Sequence, residues 1–176
     1  IVGLTSLGNI IKFNLDNQKT EKLFSVKTNI GYTDGGFDLT SKSSIYTIDE
    51  IIVVVNDFKR HGFVYYPNKY NALHLWRQDY HANISTYPIA LYRDERGEAH
   101  LIHGEKWNHI QIMNLETLQI LTASKSLIEE NIEEEYKKYN IDNKLPWPMP
   151  YDYFYGKLLL SPNQKKFLSA GWDWGS

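Results

Sequence analysis

The stretch that decides the fold lies in the first half of the chain and reads Ile51-Ile52-Val53-Val54-Val55-Asn56-Asp57-Phe58-Lys59-Arg60-His61-Gly62-Phe63-Val64-Tyr65-Tyr66. Its first five residues are all apolar and β-branched, which is typical of a strand that is covered on both faces. A polar segment that ends in glycine follows, and then a second apolar run. The pattern predicts two strands joined by a turn, with the first strand in the interior.

The pattern of apolar strand, polar turn and apolar strand recurs along the chain. One version of it occupies 10–24, 63–76 and 110–121, and a second, interleaved version occupies 37–55, 89–102 and 158–169. Together they give a unit of about 50 residues with four short strands, which is the pattern of a propeller blade. A four-stranded sheet buries its two apolar faces against its neighbours, and for this reason such a unit repeats.

The sequence therefore predicts an all-β protein made of antiparallel four-stranded blades of a β-propeller, as a single domain over residues 1–176. Residues 10–24 supply two strands of one blade, 37–76 and 89–122 supply two whole blades, and 157–169 supply the first two strands of another. The two ends can complete one blade between them, which gives about three blades. Closed propellers usually have four to eight blades. We therefore expect a partial propeller that belongs to a longer chain.

Two segments interrupt the repeat. Residues 126–140 place apolar side chains at a spacing near 3.6, with Ser126 as a candidate N-cap and lysines near the end, and this predicts a short amphipathic helix. The run Pro146-Trp147-Pro148-Met149-Pro150 excludes both a helix and a central strand. We expect it to be an extended linker to the next blade.

Composition limits the function. The chain has 176 residues, of which 42% are hydrophobic and 23% are charged, and its formal net charge is −2. A net negative charge does not attract the phosphate backbone of nucleic acid. No apolar run reaches the roughly 20 residues that a membrane helix needs. The absence of cysteine excludes disulfides, thiolate metal sites and cysteine nucleophiles. We expect a soluble chain in the cytoplasm that binds neither nucleic acid nor membrane.

Two stretches carry a family resemblance. The first is Leu101-Ile102-His103-Gly104-Glu105-Lys106-Trp107-Asn108, which a strand and Leu121-Thr122 follow. The second runs from Asp152 to Trp172 and contains the hairpin Ser161-Pro162-Asn163-Gln164-Lys165-Lys166-Phe167-Leu168. They resemble an uncharacterised family of bacterial β-propeller proteins with degenerate WD40-like repeats, over about residues 37–174. The resemblance implies a propeller of six or seven blades and no established activity.

Asp79, His81 and His103 are the candidates for catalysis. Asp79 and His81 follow the last strand of one unit, where their side chains can share a hydrogen bond and form a general base. They can equally brace the loop through bonds to the backbone, which is the interpretation we favour. The catalytic alternative is a hydrolase-like enzyme at the propeller mouth. It requires that the three side chains meet in one pocket with displaced pKa values.

Four residues are candidates for ligand binding. Lys59 and Arg60 place two cations at a turn, where they can contact a phosphate or a carboxylate. Trp107 and Trp147 can offer aromatic platforms. The alternative interpretation is a solvated turn for the two cations and packing between blades for the tryptophans.

The histidines His100, His103 and His109 lie within ten residues of one another. Because a strand alternates its faces, His100 and His103 point to opposite sides, and we expect neither a metal site nor a cofactor. The sequence also lacks a phosphate-binding loop and a nucleophile elbow. It therefore favours a non-catalytic module that binds a protein or a small polar ligand through loops on one propeller face, and it leaves the oligomeric state open.

Overall fold

A computed structural model describes residues 1–106, 109–122 and 153–173, and this part of the chain is all β, with twelve strands and no helix. The strands are β1 Val2–Leu4, β2 Asn9–Phe13, β3 Thr20–Ser25, β4 Ser43–Ile48, β5 Ile51–Asn56, β6 His61–Tyr66, β7 Tyr70–Trp76, β8 Ile89–Arg93, β9 Ala99–Lys106, β10 His109–Asn114, β11 Tyr153–Leu160 and β12 Phe167–Asp173. The predicted helix near 126–140, the predicted linker at 146–150 and both Trp107 and Trp147 lie outside the described residues.

The strands form four antiparallel sheets in which the order in space follows the order in the chain. These are β1-β2-β3, β4-β5-β6-β7, β8-β9-β10 and β11-β12. A bridge between Met113 and Ile120 extends the third sheet beyond β10. The unit of four consecutive antiparallel strands is therefore present in full in the second sheet.

The two ends of the described chain differ from expectation. The first sheet has three strands rather than two, because Val2–Leu4 also pairs with Asn9–Phe13. The last two strands form a separate sheet. The expectation that the two ends complete one sheet is therefore wrong, because β1 already occupies the edge beside β2.

Strand β5 carries the core on both of its faces. All of its residues are buried. Ile51, Val53 and Val55 join the cluster between the second and third sheets. Ile52 and Val54 join the cluster between the first and second sheets. Successive side chains of a strand point to opposite faces, so a run without polar residues is what this position requires, and the sequence prediction is confirmed.

The sheets pack against one another in chain order. Strand β3 contacts β7, β4 contacts β8, and β8 contacts β11. A third apolar cluster, formed by Ala90, Ile102 and Leu158, joins the third and fourth sheets. The segments 26–42, 56–61 and 77–88 lie at one end of these stacked sheets, where β5 ends and β4 and β8 begin. That end carries the site described below.

Residues 1–106, 109–122 and 153–173 contain no helix of the length and apolarity needed to cross a membrane.

Candidate functional site

A polar cavity of about 330 Å³ lies between the segment that joins the first two sheets and the turn that joins β5 to β6. Its lining residues are Thr28, Asp34, Gly36, Phe37, Asp38, Leu39, Lys59 and His61. The volume falls at the lower end of the range of about 300–1,000 Å³ that is typical of small-molecule sites. Two carboxylates, one ammonium group and one imidazole therefore face a space of the size of a small ligand.

Two contacts hold the joining segment against strands β5 and β6. Phe37 is buried beside Phe63, with ring centroids 6.3 Å apart. Asn56 forms a reciprocal pair with Asp38: the Asp38 N–H donates to Asn56 Oδ1 at 2.9 Å, and Asn56 Nδ2 donates to the Asp38 carbonyl at 2.8 Å. Because Asn56 is fully buried, this pair fixes the wall of the cavity to the end of β5.

Asp38 is held as a carboxylate. Its Oδ1 accepts the Thr40 hydroxyl at 2.6 Å and the Thr40 N–H at 2.8 Å, and its Oδ2 accepts the Ser41 hydroxyl at 2.8 Å. These bonds to the charged form, those of Thr40 first, hold the pKa of Asp38 far below its usual range. The Lys59 ammonium lies 3.5 Å from Oδ2 and is about half exposed, at 52%. Lys59 is therefore an accessible cation with a loosely placed partner.

Asp34, His61 and His74 form a linear chain of polar groups. His61 Nε2 lies 3.1 Å from both carboxylate oxygens of Asp34, and His61 Nδ1 lies 3.0 Å from His74 Nε2. A carboxylate only accepts, so we assign the His61 proton to Nε2. His61 Nδ1 is then an acceptor, and His74 Nε2–H donates to it.

The contacts within the Asp34–His61–His74 group determine the charge of Asp34 and of His74. Burial opposes the charge of Asp34, but the hydrogen bond with His61 and the interactions with His61 and Arg60 outweigh it and lower the pKa of Asp34. Burial, and then the neighbouring His61, lowers the pKa of His74 to about 4. At neutral pH Asp34 is therefore a charged carboxylate and His74 is neutral.

Arg60 is not among the residues that line the cavity, and its guanidinium packs against aromatic rings. Its guanidinium lies 5.1 Å from the ring centroid of Trp76 and 5.8 Å from that of Tyr32. Its Nη1 lies 3.5 Å from Asp34 Oδ2, and its Nε donates to the Arg77 carbonyl at 3.3 Å. Arg60 is 14% exposed, so of the two cations proposed from the sequence Lys59 is the more accessible.

A buried arginine joins the turn to the loop that carries Asp79 and His81. The Arg77 guanidinium donates to Lys59 O at 2.8 Å, Asp57 O at 3.4 Å, Ala82 O at 2.9 Å, Ser85 O at 2.7 Å, Ser85 Oγ at 3.3 Å and Thr86 O at 3.4 Å. It also lies 4.8 Å from the ring centroid of Tyr87. Burial lowers the pKa of Arg77 to about 10, so the group stays charged at neutral pH. The Arg77 side chain therefore holds together the turn between β5 and β6 and the loop between β7 and β8.

The three candidates for catalysis lie near this end of the sheets. Asp79 and His81 are in the loop between β7 and β8, where the His81 carbonyl accepts the Ser85 hydroxyl at 3.0 Å. His103 is in β9 and is buried. The Gln78 N–H donates to the Glu105 carbonyl at 2.8 Å, which places the loop beside the end of β9. Convergence of the three side chains on one pocket stays a prediction.

His103 is an unusual buried group. Both of its ring nitrogens are buried and have no hydrogen-bond partner among the described residues. Burial lowers the pKa of His103 to about 4, so the ring is neutral at neutral pH. A buried polar group without a partner costs folding free energy.

One group of side chains has the donor atoms of a cation site. Asp94, Glu98 and His100 each offer a ligand atom within 4.8 Å of the others, at the turn between β8 and β9. Asp94 Oδ1 already accepts the N–H groups of Arg96 and Glu98, both at 2.9 Å, and the two bonds stabilise the turn. His100 and His103 occupy positions of opposite parity on β9, as the alternation predicts.

The sequence did not reveal the Asp34–His61–His74 chain. Asp34 precedes His61 by 27 positions and His74 follows it by 13, which corresponds to no known spacing motif. His61 and His74 meet because β6 and β7 pair in the register that places His61 opposite Trp76 and Phe63 opposite His74. Only strand pairing and the path of the joining segment bring the three groups together.

Comparison of the chain with family models, with curated proteins and with solved structures finds no match. The resemblance to bacterial propellers stays a prediction.

Proposed function

We propose that the chain is part of a β-propeller and that it binds a small polar ligand, without catalysing a reaction, in the cavity lined by Asp34, Asp38 and Lys59. The observation that carries the proposal is the cavity itself, in which charges of both signs face a volume of about 330 Å³. The residue types are those expected of a site that recognises a polar molecule by charge-assisted hydrogen bonds.

The propeller part of the proposal is supported by the order of the sheets. Each sheet is an antiparallel meander, and each contacts the next one along the chain. The first strands β4, β8 and β11 lie next to one another in succession. In a propeller the first strand of each blade lies nearest the axis and the blades pack face to face. An experimental structure in which these strands do not surround a common axis would contradict this part.

The charges indicate the class of ligand. The carboxylates of Asp34 and Asp38 are 37% and 32% exposed, and Lys59 is 52% exposed. The Lys59–Asp38 and Arg60–Asp34 pairs both have separations of 3.5 Å, which are loose contacts. A small zwitterion can replace these ion pairs. Its ammonium group then lies beside the carboxylates of Asp34 and Asp38, and its carboxylate lies beside Lys59.

Binding fits the chemistry of the site better than catalysis does. In the hydrogen-bonded group Asp34–His61–His74, the last member is His74, and its pKa is about 4. A general base works best when its pKa lies near the working pH. An imidazole with so low a pKa takes up a proton poorly at neutral pH. The Asp34–His61–His74 chain therefore holds the wall of the cavity rather than moving protons.

A hydrolase-like enzyme that uses Asp79, His81 and His103 is the second candidate function. The observation in its favour is that His103 is buried and both of its ring nitrogens lack a partner among the described residues. The pKa of His103 is also about 4, which makes this ring a weak base at neutral pH. We therefore propose ligand binding as the primary function and the hydrolase-like activity as the alternative.

The test is a titration of the isotope-labelled chain with glycine, followed by amide chemical shifts in NMR spectra. We expect saturable shifts at the amides of Gly36 and Lys59. Lys59→Gln is expected to weaken binding about tenfold, because it removes a charge-assisted hydrogen bond. The control Lys22→Gln removes an exposed lysine of β3 and is expected to leave binding unchanged. Ethylamine and acetate carry one charge each and are expected to bind more weakly than glycine.

Two results would contradict the proposal. The first is that glycine causes no saturable shift at Gly36 or Lys59. The second is that Lys59→Gln and Lys22→Gln bind glycine equally well.

A further inference from the structure

The hairpin formed by β8 and β9 carries two carboxylates and a histidine on one face. His100 lies opposite Tyr92 in the paired strands. Nearer the turn, the Asp94 N–H donates to the Glu98 carbonyl at 3.0 Å, so these two residues also face each other. Because side chains alternate along a strand, Asp94, Glu98 and His100 share one face of the hairpin. Each of the three offers a ligand atom within 4.8 Å of the others.

His100 is the buried member of this group, with an exposure of 3%. Its Nδ1 lies 2.9 Å from the Glu98 carbonyl oxygen. A carbonyl only accepts, so we assign the proton to Nδ1, and Nε2 keeps its lone pair. Nε2 has no hydrogen-bond partner among the described residues, and unlike the ring nitrogens of His103 it is not fully buried. A metal-binding histidine has this arrangement, since its other ring nitrogen usually donates to a carbonyl or a carboxylate.

Each carboxylate has one oxygen that is held in place and one that is left over. Asp94 Oδ1 accepts the N–H groups of Arg96 and Glu98, both at 2.9 Å, and Glu98 Oε2 accepts Asn114 Nδ2 at 2.7 Å. In the described part of the chain, Asp94 Oδ2 and Glu98 Oε1 have no hydrogen-bond partner, and neither carboxylate has a cationic partner. Two neighbouring carboxylates repel each other, and a bound cation removes that repulsion.

A cavity gives an ion access to this group. The cavity has a volume of about 540 Å³ and lies between the third and fourth sheets, where Asp94, Tyr92, Leu160 and Phe167 are among its lining residues. Tyr92 also stacks on the His100 ring, with centroids 5.0 Å apart. The three ligand atoms therefore lie beside an open space rather than in a closed core.

The turn by itself does not account for this arrangement. The two bonds to Asp94 Oδ1 stabilise the turn, but they need neither the Glu98 carboxylate nor an imidazole. Asn114, which lies opposite His100 on β10, orients the Glu98 carboxylate from a neighbouring strand. Contacts of this kind around a metal site orient the ligands and raise the affinity for the metal.

We infer that Asp94, Glu98 and His100 bind one divalent transition-metal ion, for which Zn²⁺ is the probe. Zn²⁺ accepts carboxylate oxygens and imidazole nitrogen, whereas Mg²⁺ and Ca²⁺ prefer oxygen ligands alone. Ligand atoms about 2.0–2.2 Å from Zn²⁺ lie roughly 3–4 Å from one another, so small rotations of the three side chains close the group on the ion. Three protein ligands leave one position for water or for a ligand atom from the cavity.

The experiment is an NMR titration of the full chain after treatment with EDTA, with ZnCl₂ and MgCl₂ as separate probes. With Zn²⁺ we expect saturable changes at the amides of Glu98 and His100. We also expect a shift of the His100 Nε2 resonance, which reports coordination at that nitrogen. The affinity for Zn²⁺ should exceed that for Mg²⁺ by about tenfold or more, because Mg²⁺ gains little from an imidazole ligand.

Two variants test the ligands. Asp94→Asn keeps an acceptor for the turn but loses a charged ligand, so it is expected to weaken Zn²⁺ binding about tenfold. Its matched control, Asp16→Asn, changes an exposed aspartate in another turn and should leave the affinity unchanged. His100→Phe keeps a ring for the contact with Tyr92, and it is expected to abolish the preference for Zn²⁺ over Mg²⁺.

A further control addresses binding of Zn²⁺ at another histidine. His109 Nδ1 lies 3.1 Å from Glu105 Oε2, so this pair also offers an imidazole and a carboxylate. His109→Gln should leave the changes at Glu98 and His100 in place. If His100→Phe does not fold, Asp94→Asn and the His100 Nε2 resonance still decide the question.

The inference is overturned if Zn²⁺ causes no saturable change at Glu98 and His100, if Mg²⁺ binds there as tightly as Zn²⁺, or if Asp94→Asn and Asp16→Asn bind Zn²⁺ equally well. The result is independent of the proposed glycine site. Lys59→Gln should weaken glycine binding and leave Zn²⁺ binding unchanged, so that either site can fail alone.

Discussion

His61 Nδ1 lies 3.0 Å from His74 Nε2, while His61 Nε2 lies 3.1 Å from both carboxylate oxygens of Asp34. His61 is 1% exposed, so its two bonds are shielded from water. One imidazole thus joins the edge strand β7 to the segment that covers the first cavity. The stability of that wall depends on both partners of His61.

Replacement of His61 tests this dependence. His61→Leu removes the donor of Asp34 and the acceptor of His74, and we expect it to lower the free energy of unfolding by about 1–3 kcal/mol. His74→Leu should cost less. The double variant should cost less than the two single losses together, because the shared bond is lost once. Urea denaturation at pH 7 measures all four stabilities. Losses that add within about 0.5 kcal/mol would show that the two rings do not interact.

His103 makes stability depend on pH. Its pKa is about 4 in the folded chain, below the value of about 6.5 in an unfolded chain. The unfolded state therefore binds more protons between these values, and stability falls as the pH falls from about 6.5 to about 4. The loss is about 3 kcal/mol at most.

His103→Leu is expected to stabilise the chain at pH 7 by about 1 kcal/mol, because it removes two buried nitrogens that have no hydrogen-bond partner among the described residues. The advantage of the variant should grow as the pH falls from 6.5 to 4, since the leucine has no proton to bind. Chemical denaturation along a pH series measures it. An advantage that stays constant over this interval would show that His103 does not titrate with a lowered pKa.

Arg77 holds the turn and the loop together through a planar group. Arg77→Lys keeps the charge but cannot reach the several carbonyls that the guanidinium contacts. We expect a loss of about 3 kcal/mol in the free energy of unfolding. Limited proteolysis should also show faster cleavage within 77–88. The matched control is Arg96→Lys on an exposed turn, which should change stability by less than about 0.5 kcal/mol. Equal stability of the two variants would contradict the role of Arg77.

Gly62 allows β5 and β6 to approach closely. It pairs with Val55 across the strands, and a Cβ at this position would lie 2.5 Å from Val55 Cγ1 and 2.9 Å from the Val54 carbonyl oxygen. Both neighbours are fully buried. Gly62→Ala is therefore expected to cost about 1–3 kcal/mol. Gly3→Ala, where a Cβ meets no atom within 4 Å, is the control for thermal denaturation. Equal melting temperatures of the two variants would show that the interior yields easily at Gly62.

The strands could be predicted from the sequence because their signals are local. The run from Ile51 to Val55 shows a strand covered on both faces, and its side chains do alternate between two core clusters. The polar turn before Gly62 and the hairpin around Asn68 are likewise local. The three-stranded first sheet was missed, because Val2–Leu4 is too short to show a period.

The candidate site was predicted only in part. Lys59 and Arg60 were recognised as a pair of cations in a turn. Their different roles follow from contacts with Asp38 and with Trp76, which lie far from them in sequence. Asp34 and His74 form no recognisable sequence motif, because three complete strands lie between them and only the fold brings both side chains to His61.

The order of residues by itself determined that this chain forms antiparallel strands in repeated meanders, because the alternation of side chains and the chemistry of turns act over a few neighbouring residues. Tertiary structure alone decided which sheets lie side by side, which carboxylate reaches His61 and which carbonyls Arg77 contacts. Those outcomes depend on how separate sheets bury their apolar faces, and packing over such distances leaves no fixed spacing in the sequence.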